Sequence, residues 1–180
     1  KIIYAYPFCC NPIKNNPIRH KNKEIINQAL FVGGFYNHLT NRTEETNKLF
    51  DSVLEKYDLK IINRHYFFPK FTRQVFKFKR NRNKYEISDK YEKYNYPPID
   101  SKNVYNLYKY YKILLNVNTV TDCETMCSRR LIELLACGCN IFSNKSLSIS
   151  NLNLFVITNL NELIISDLEN LNINGFLQTH

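Results

Sequence analysis

The sequence predicts an α/β domain, a doubly wound and mostly parallel sheet of Rossmann-like kind. Short apolar runs recur along the chain, separated by segments whose apolar residues repeat at helical spacing. Glycines and cap-forming residues stand where one pattern gives way to the other. Strands that alternate with helices are the pattern of a parallel sheet covered on both faces.

Taken in order, residues 1–24 are rich in Pro and Asn and lack a period, as expected of a segment that connects to a preceding domain. The chain starts at Lys1 with neither Met nor an apolar leader, so a piece of a longer protein is expected. Residues 25–180 form the domain. "INQALFVGG" (Ile26–Gly34) predicts a buried strand ending in a glycine turn. Asn41 with Glu44 makes a capping signature, followed by a surface helix over Thr43–Tyr57 with Leu49, Val53 and Leu54 inward. Leu59–Phe67 predicts a second strand. A basic and aromatic insertion then occupies about residues 68–94.

"SKNVYNLYKYYK" (Ser101–Lys112) places Val104, Leu107, Tyr108 and Tyr111 on one helical face, with the tyrosines in the core or at its rim. Ile113–Val120 predicts a strand, "SRRLIELLAC" a helix closed by Gly138, and "CNIFS" a further strand. Leu154–Thr158 and the region 162–171 repeat the alternation once more.

Charged residues make up 23% and hydrophobic ones 44%, an ordinary globular balance. No apolar run approaches the ~20 residues of a membrane span. The formal net charge of +9 suits an anionic partner: nucleic acid, an acidic membrane surface or a phosphorylated small molecule. A compositional bias toward Lys and Asn is the competing origin of that charge. None of the six cysteines has Cys-x-x-Cys spacing and the four histidines are scattered, so no metal site is expected. Thiols within apolar segments fit a reducing cytoplasm.

The most informative stretch is "NTVTDCETMCSRRLIELLACGCNIFSN", Asn118–Asn144. Ser128 is a competent N-cap, which sets Arg129 and Arg130 in the first helical turn. Cations are disfavoured there by the helix dipole. They make sense beside the free N–H groups of a helix start if a strongly negative guest binds, because arginine's fork matches phosphate oxygens. The plainer alternative is a surface pair between either arginine and Glu133. Leu131, Ile132, Leu134, Leu135 and Ala136 surround this one acid, a composition expected of a largely buried helix.

"YKILLNVNTVTDCETMCSRRLIELLACGCNIFSN" resembles the C-terminal-domain signature of CgeB-like (spore-maturation-type) glycosyltransferases and, more distantly, other GT-B enzymes that use nucleotide sugars. "ALFVGGFYNHLTNR" and "LKIINRHY" resemble that family's domain opening in the same order, so the likeness spans about Ile25 to Leu171.

The resemblance implies a nucleotide-diphosphate sugar over the helix start. Glu133 would accept hydrogen bonds from the ribose hydroxyls, one turn after the arginines Arg129 and Arg130 that the helix-start argument already sets beside an anion. Backbone N–H groups at Ser128 and Arg129 would face the diphosphate, and Thr125 and Met126 would lie beside the donor sugar. Gly33 and Gly34 with Arg42 would form the first phosphate loop, and Tyr96–Ile99 (Tyr96, Ile99 at its ends) would cradle the base. Many GT-B relatives carry a second glutamate, but Thr125 stands where it would fall and the nearest acid, Glu124, is one position off. The resemblance implies no cofactor and no metal, and it places the acceptor-side base in a separate N-terminal domain. The acceptor would be a glycan, a lipid-linked molecule or a protein.

Three alternatives stay open. The basic aromatic stretch 70–84 suits a nucleic-acid-binding α/β domain. The same stretch suits peripheral contact with anionic lipid at the inner face of a membrane. A catalytically inactive GT-B relative is the third. Asp122 and Glu124 read as loop acids, and His65 as a surface or half-buried histidine after a strand.

Overall fold

The computed structural model describes residues 24–67, 84–151 and 156–158. The connecting segment up to residue 23, the stretch 68–83 and the region 162–171 lie outside the described residues. Among the described residues five parallel strands form one sheet in the order β3-β2-β1-β4-β5. They are β1 (Ile26–Gly33), β2 (Asp58–Asn63), β3 (Asn95–Tyr96), β4 (Tyr111–Asn116) and β5 (Ile141–Ser143). Helix α1 (Thr40–Leu54) links β1 to β2, α2 (Ser101–Tyr108) links β3 to β4, and α3 (Arg129–Ala136) links β4 to β5. A short helix α4 (Leu147–Asn151) follows β5, and a 3-10 turn (Asp89–Tyr94) precedes β3. Ile157 bridges Phe142 in parallel, at the place a sixth strand would take beside β5.

The chain runs outward from β1 to β3 and then crosses back to β4 on the other side of β1. That reversal, between β1 and β4, is the switch point beside which open α/β sheets hold their ligands, beyond the strands' carboxyl ends.

Alternate strand residues divide between two cores, as the two-residue period of a strand requires. Ala29, Phe31, Leu59, Ile61, Ile113 and Leu115 meet Leu49, Phe50 and Val53 of α1, with Ile87 and Tyr91. Phe50 stacks edge-on against Phe31 at 5.2 Å and Tyr91 at 5.1 Å. On the other face Leu30, Val32, Ile62 and Leu114 meet Tyr108 of α2 and Leu131 and Leu134 of α3. Each Val, Leu, Ile or Phe among them stabilises the fold by roughly 1.5–3 kcal/mol relative to exposure. Helices on both faces of an all-parallel sheet make this a doubly wound α/β domain.

Several boundaries differ from the sequence expectation. Helix α1 starts at Thr40, and its N-cap is Leu39 with no side-chain cap bond, so Asn41 and Glu44 are interior and the capping signature is not used. The reason is tertiary. Arg42, in the first turn, donates through Nη1 to Val117 O and Thr119 Oγ1, both at 2.8 Å, which ties the helix start to the end of β4. Strand β2 ends at Asn63, where the Asn63 side chain accepts from His65 N at 2.8 Å and turns the chain. Tyr111 belongs to β4 rather than to the helix before it. Tyr96 lies in β3, a two-residue strand without its own sequence signal. Helix α3 is half-buried along Ile132, Glu133, Leu135 and Ala136, fully buried only at Leu131 and Leu134. Gly138 ends it at φ 65°, the left-handed conformation that glycine adopts without a Cβ clash.

Candidate functional site

Helix α3 is launched from a buried polar cluster at the carboxyl ends of β4 and β5. Asn116, Asn118 and Ser143 are 1%, 2% and 0% exposed, so their polar atoms need partners. Asn116 Nδ2 donates to Ser143 Oγ at 2.9 Å. Asn118 N donates to Asn144 Oδ1 at 2.7 Å, and Asn144 Nδ2 returns a bond to Asn118 O at 3.1 Å. The cluster then grips Ser128 twice: Ser128 N donates to Asn118 Oδ1 at 3.0 Å, and Ser128 Oγ donates to Asn116 Oδ1 at 2.6 Å. The same hydroxyl accepts from Leu131 N at 3.1 Å, the N-cap bond expected from the sequence.

Beside this helix start lies a cleft of about 450 Å³. The carboxyl ends of β1 and β2 form its floor through Val32, Gly33, Ile62 and Arg64. Pro98 and Ile99 wall one side; Ser101, Tyr105 and Tyr108 come from α2, and Arg129, Arg130 and Glu133 from α3. Ser101 and Arg129 are the first residues of their helices, so two positive helix ends converge on one opening. Three guanidiniums and one carboxylate line it, an excess of positive charge.

The two arginines of α3 are held differently. Arg129 Nε donates to Glu133 Oε1 at 2.9 Å, with the Arg129 side chain 71% exposed and that of Glu133 only 14%. The surface pair thus exists, on a glutamate that also faces the cleft. Arg130 Nη1 donates to the hydroxyl of Tyr108 at 2.9 Å and lies over its ring. Tyr108 is 1% exposed, and burial pushes its phenol well above the ordinary range. Tyr105 Oη donates to Glu133 Oε1 at 3.4 Å. Burial, then the Glu133 carboxylate, raises the Tyr105 phenol, against the opposing charge of Arg129.

Of the residues expected to bind a nucleotide sugar, the cleft brings together Gly33, Ile99, Arg129, Arg130 and Glu133. The others lie elsewhere. Ser128 is consumed by the cap and the polar cluster. Thr125 and Met126 are exposed in the preceding loop, where their backbone N–H groups hold the Cys123 thiol below its usual pKa. Arg42 is committed to Val117 O and Thr119 Oγ1, and burial lowers its pKa. Tyr96 lies under the Lys60 ammonium, 5.0 Å from the ring centre. A Cβ on Gly34 would come within 2.5 Å of His65 Cε1, so packing against an imidazole already accounts for a glycine there.

Arg64 is a cleft residue that sequence reasoning passed over. It is exposed and has no carboxylate partner among the described residues. It directly follows Asn63, the last residue of β2, where such sheets present ligand-facing groups, whereas the sequence reading ran that strand on to Phe67. His65 is half-buried. Its Nδ1 is buried, and burial, then the Arg64 charge, lowers its pKa against an opposing backbone contact with Phe35.

Among the described residues no group of His, Cys, Asp and Glu is arranged to hold a metal, and no helix is long and apolar enough to cross a membrane. No family model, curated protein or solved structure matches the chain.

Proposed function

We propose that this domain is the donor-binding half of a GT-B glycosyltransferase of CgeB-like type, taking a nucleotide-activated sugar for transfer to a glycan, lipid-linked or protein acceptor. The observation that carries the reading is the shared cleft: Arg129 and Arg130 at the start of α3, with Glu133 one turn later facing the same space. A diphosphate there would offset the two cations against the helix dipole. A carboxylate accepts from both hydroxyls of a ribose diol. Arg64 adds a third positive charge from the floor of the cleft.

In transfer, the bond between the sugar carbon and the terminal phosphate oxygen breaks, and negative charge grows on that oxygen. Fixed guanidiniums stabilise such charge without reorganising. The base that takes the acceptor's proton would come from outside these residues. The chain alone is therefore expected to bind donor and to transfer sugar poorly.

The test is thermal denaturation with UDP, GDP, ADP, TDP and CMP. At a concentration of one hundred times Kd, a bound nucleoside diphosphate stabilises by about 2.7 kcal/mol and raises Tm accordingly. Glu133→Ala should remove the shift. The reading fails if no nucleotide shifts Tm while oligonucleotides bind with a steep salt dependence.

A further inference from the structure

We propose that Tyr105 is the positioning residue for Glu133, and that through it the site distinguishes a ribose from a deoxyribose. The inference rests on the nucleotide reading above. Glu133 Oε1 accepts from both Arg129 Nε and Tyr105 Oη, whereas Oε2 has no hydrogen bond among the described residues. One oxygen is held by the protein and the other is free for a ligand hydroxyl.

The two holders are unequal. Arg129 reaches Glu133 from a largely exposed position, and exposed pairs of this kind are easily given up. A diphosphate at the start of α3 is the stronger attraction for that guanidinium, because it offers more charge and a forked set of oxygens. Once Arg129 turns to phosphate, Tyr105 is the remaining donor on Glu133. Its own ring is fixed on α2, edge-on to Tyr108 with centroids 6.1 Å apart. The phenol therefore keeps the carboxylate in the cleft when the site is loaded. A carboxylate left without that bond would swing toward solvent, and the diol would lose its acceptor while the phosphate contacts stayed intact.

Isothermal titration of the full chain and of Tyr105→Phe tests this with three ligands: a ribonucleoside diphosphate, its 2′,3′-dideoxy counterpart, and inorganic pyrophosphate. The phenylalanine ring keeps the packing, and the unfolding midpoint without ligand verifies that. The expected result is a roughly fivefold to tenfold weaker ribonucleotide affinity, the effect of one hydrogen bond, with the dideoxy compound and pyrophosphate unchanged. The ratio of ribo to dideoxy affinity would fall toward that of Glu133→Gln. Equal loss for all three ligands, or no loss for any, overturns the role of Tyr105 and leaves the nucleotide reading in place. Failure of the unaltered chain to bind any of the three overturns both.

Discussion

Ser128 Oγ donates to Asn116 Oδ1 at 2.6 Å while accepting from Leu131 N at 3.1 Å, so a single hydroxyl joins the end of β4 to the first turn of α3. The bond fixes where the helix begins and thus where its arginines stand. Asn116→Ala takes the acceptor from the Ser128 hydroxyl and the shortest of the bonds to the buried Ser143, and should cost about 2 kcal/mol. Ser128→Ala should cost about 1 kcal/mol as a lost cap. Because the two share one bond, the double variant should lose less than the sum by ~0.5 kcal/mol or more in urea denaturation. Strict additivity would mean that the bond does not form.

Arg129 and Arg130 should separate stability from binding. Arg129→Ala removes a largely exposed guanidinium from a Glu133 carboxylate that Tyr105 still holds, and should change the unfolding midpoint little. Arg130→Ala takes the donor from a buried tyrosine hydroxyl and should cost about 1 kcal/mol. Both should weaken pyrophosphate binding and flatten its salt dependence, measured by titration calorimetry at two ionic strengths.

Gly34→Ala should destabilise by about 1–3 kcal/mol, because its Cβ would lie 2.5 Å from His65 Cε1 and 2.7 Å from His65 Nδ1. In the background of His65→Ala the same change should cost little. A large penalty persisting in that background would show that another group sets the constraint.

Below neutrality His65 should draw on stability. Its folded pKa is depressed below the ordinary 6.5, burial being the main cause. Between the two values the unfolded chain binds the extra proton, so stability is full above about pH 6.5 and falls as pH drops through the folded midpoint. The imidazole titration followed by NMR should show a midpoint below 6.5, and Tm should decline from pH 7 to pH 5. A midpoint at or above 6.5 would contradict the burial argument.

Residues 26–33, 113–116 and 129–138 were legible because their signals are local. A run of Ile, Leu and Val, a serine before a helix, and a glycine after it each express a backbone preference that neighbours in sequence suffice to satisfy. The same reading missed β3, whose two residues are a strand only because β2 lies beside them. It also placed a cap at Asn41 that the attachment of Arg42 to Val117 overrides.

The chain's order of residues by itself determined the alternation of strand and helix, the Ser128 cap and the Gly138 stop, and with them the pairing of arginines and glutamate on one short helix. Only the tertiary structure decided that Arg64, Tyr105 and Tyr108 face that helix across a cleft, and that Arg42 and Ser128 are spent on holding the scaffold. The reason is physical. Caps and periodicities act over three or four residues along the chain, while a binding site joins side chains from separate strands and helices. Their meeting depends on which strands are neighbours, and in this sheet β1 has β2 on one side and β4 on the other.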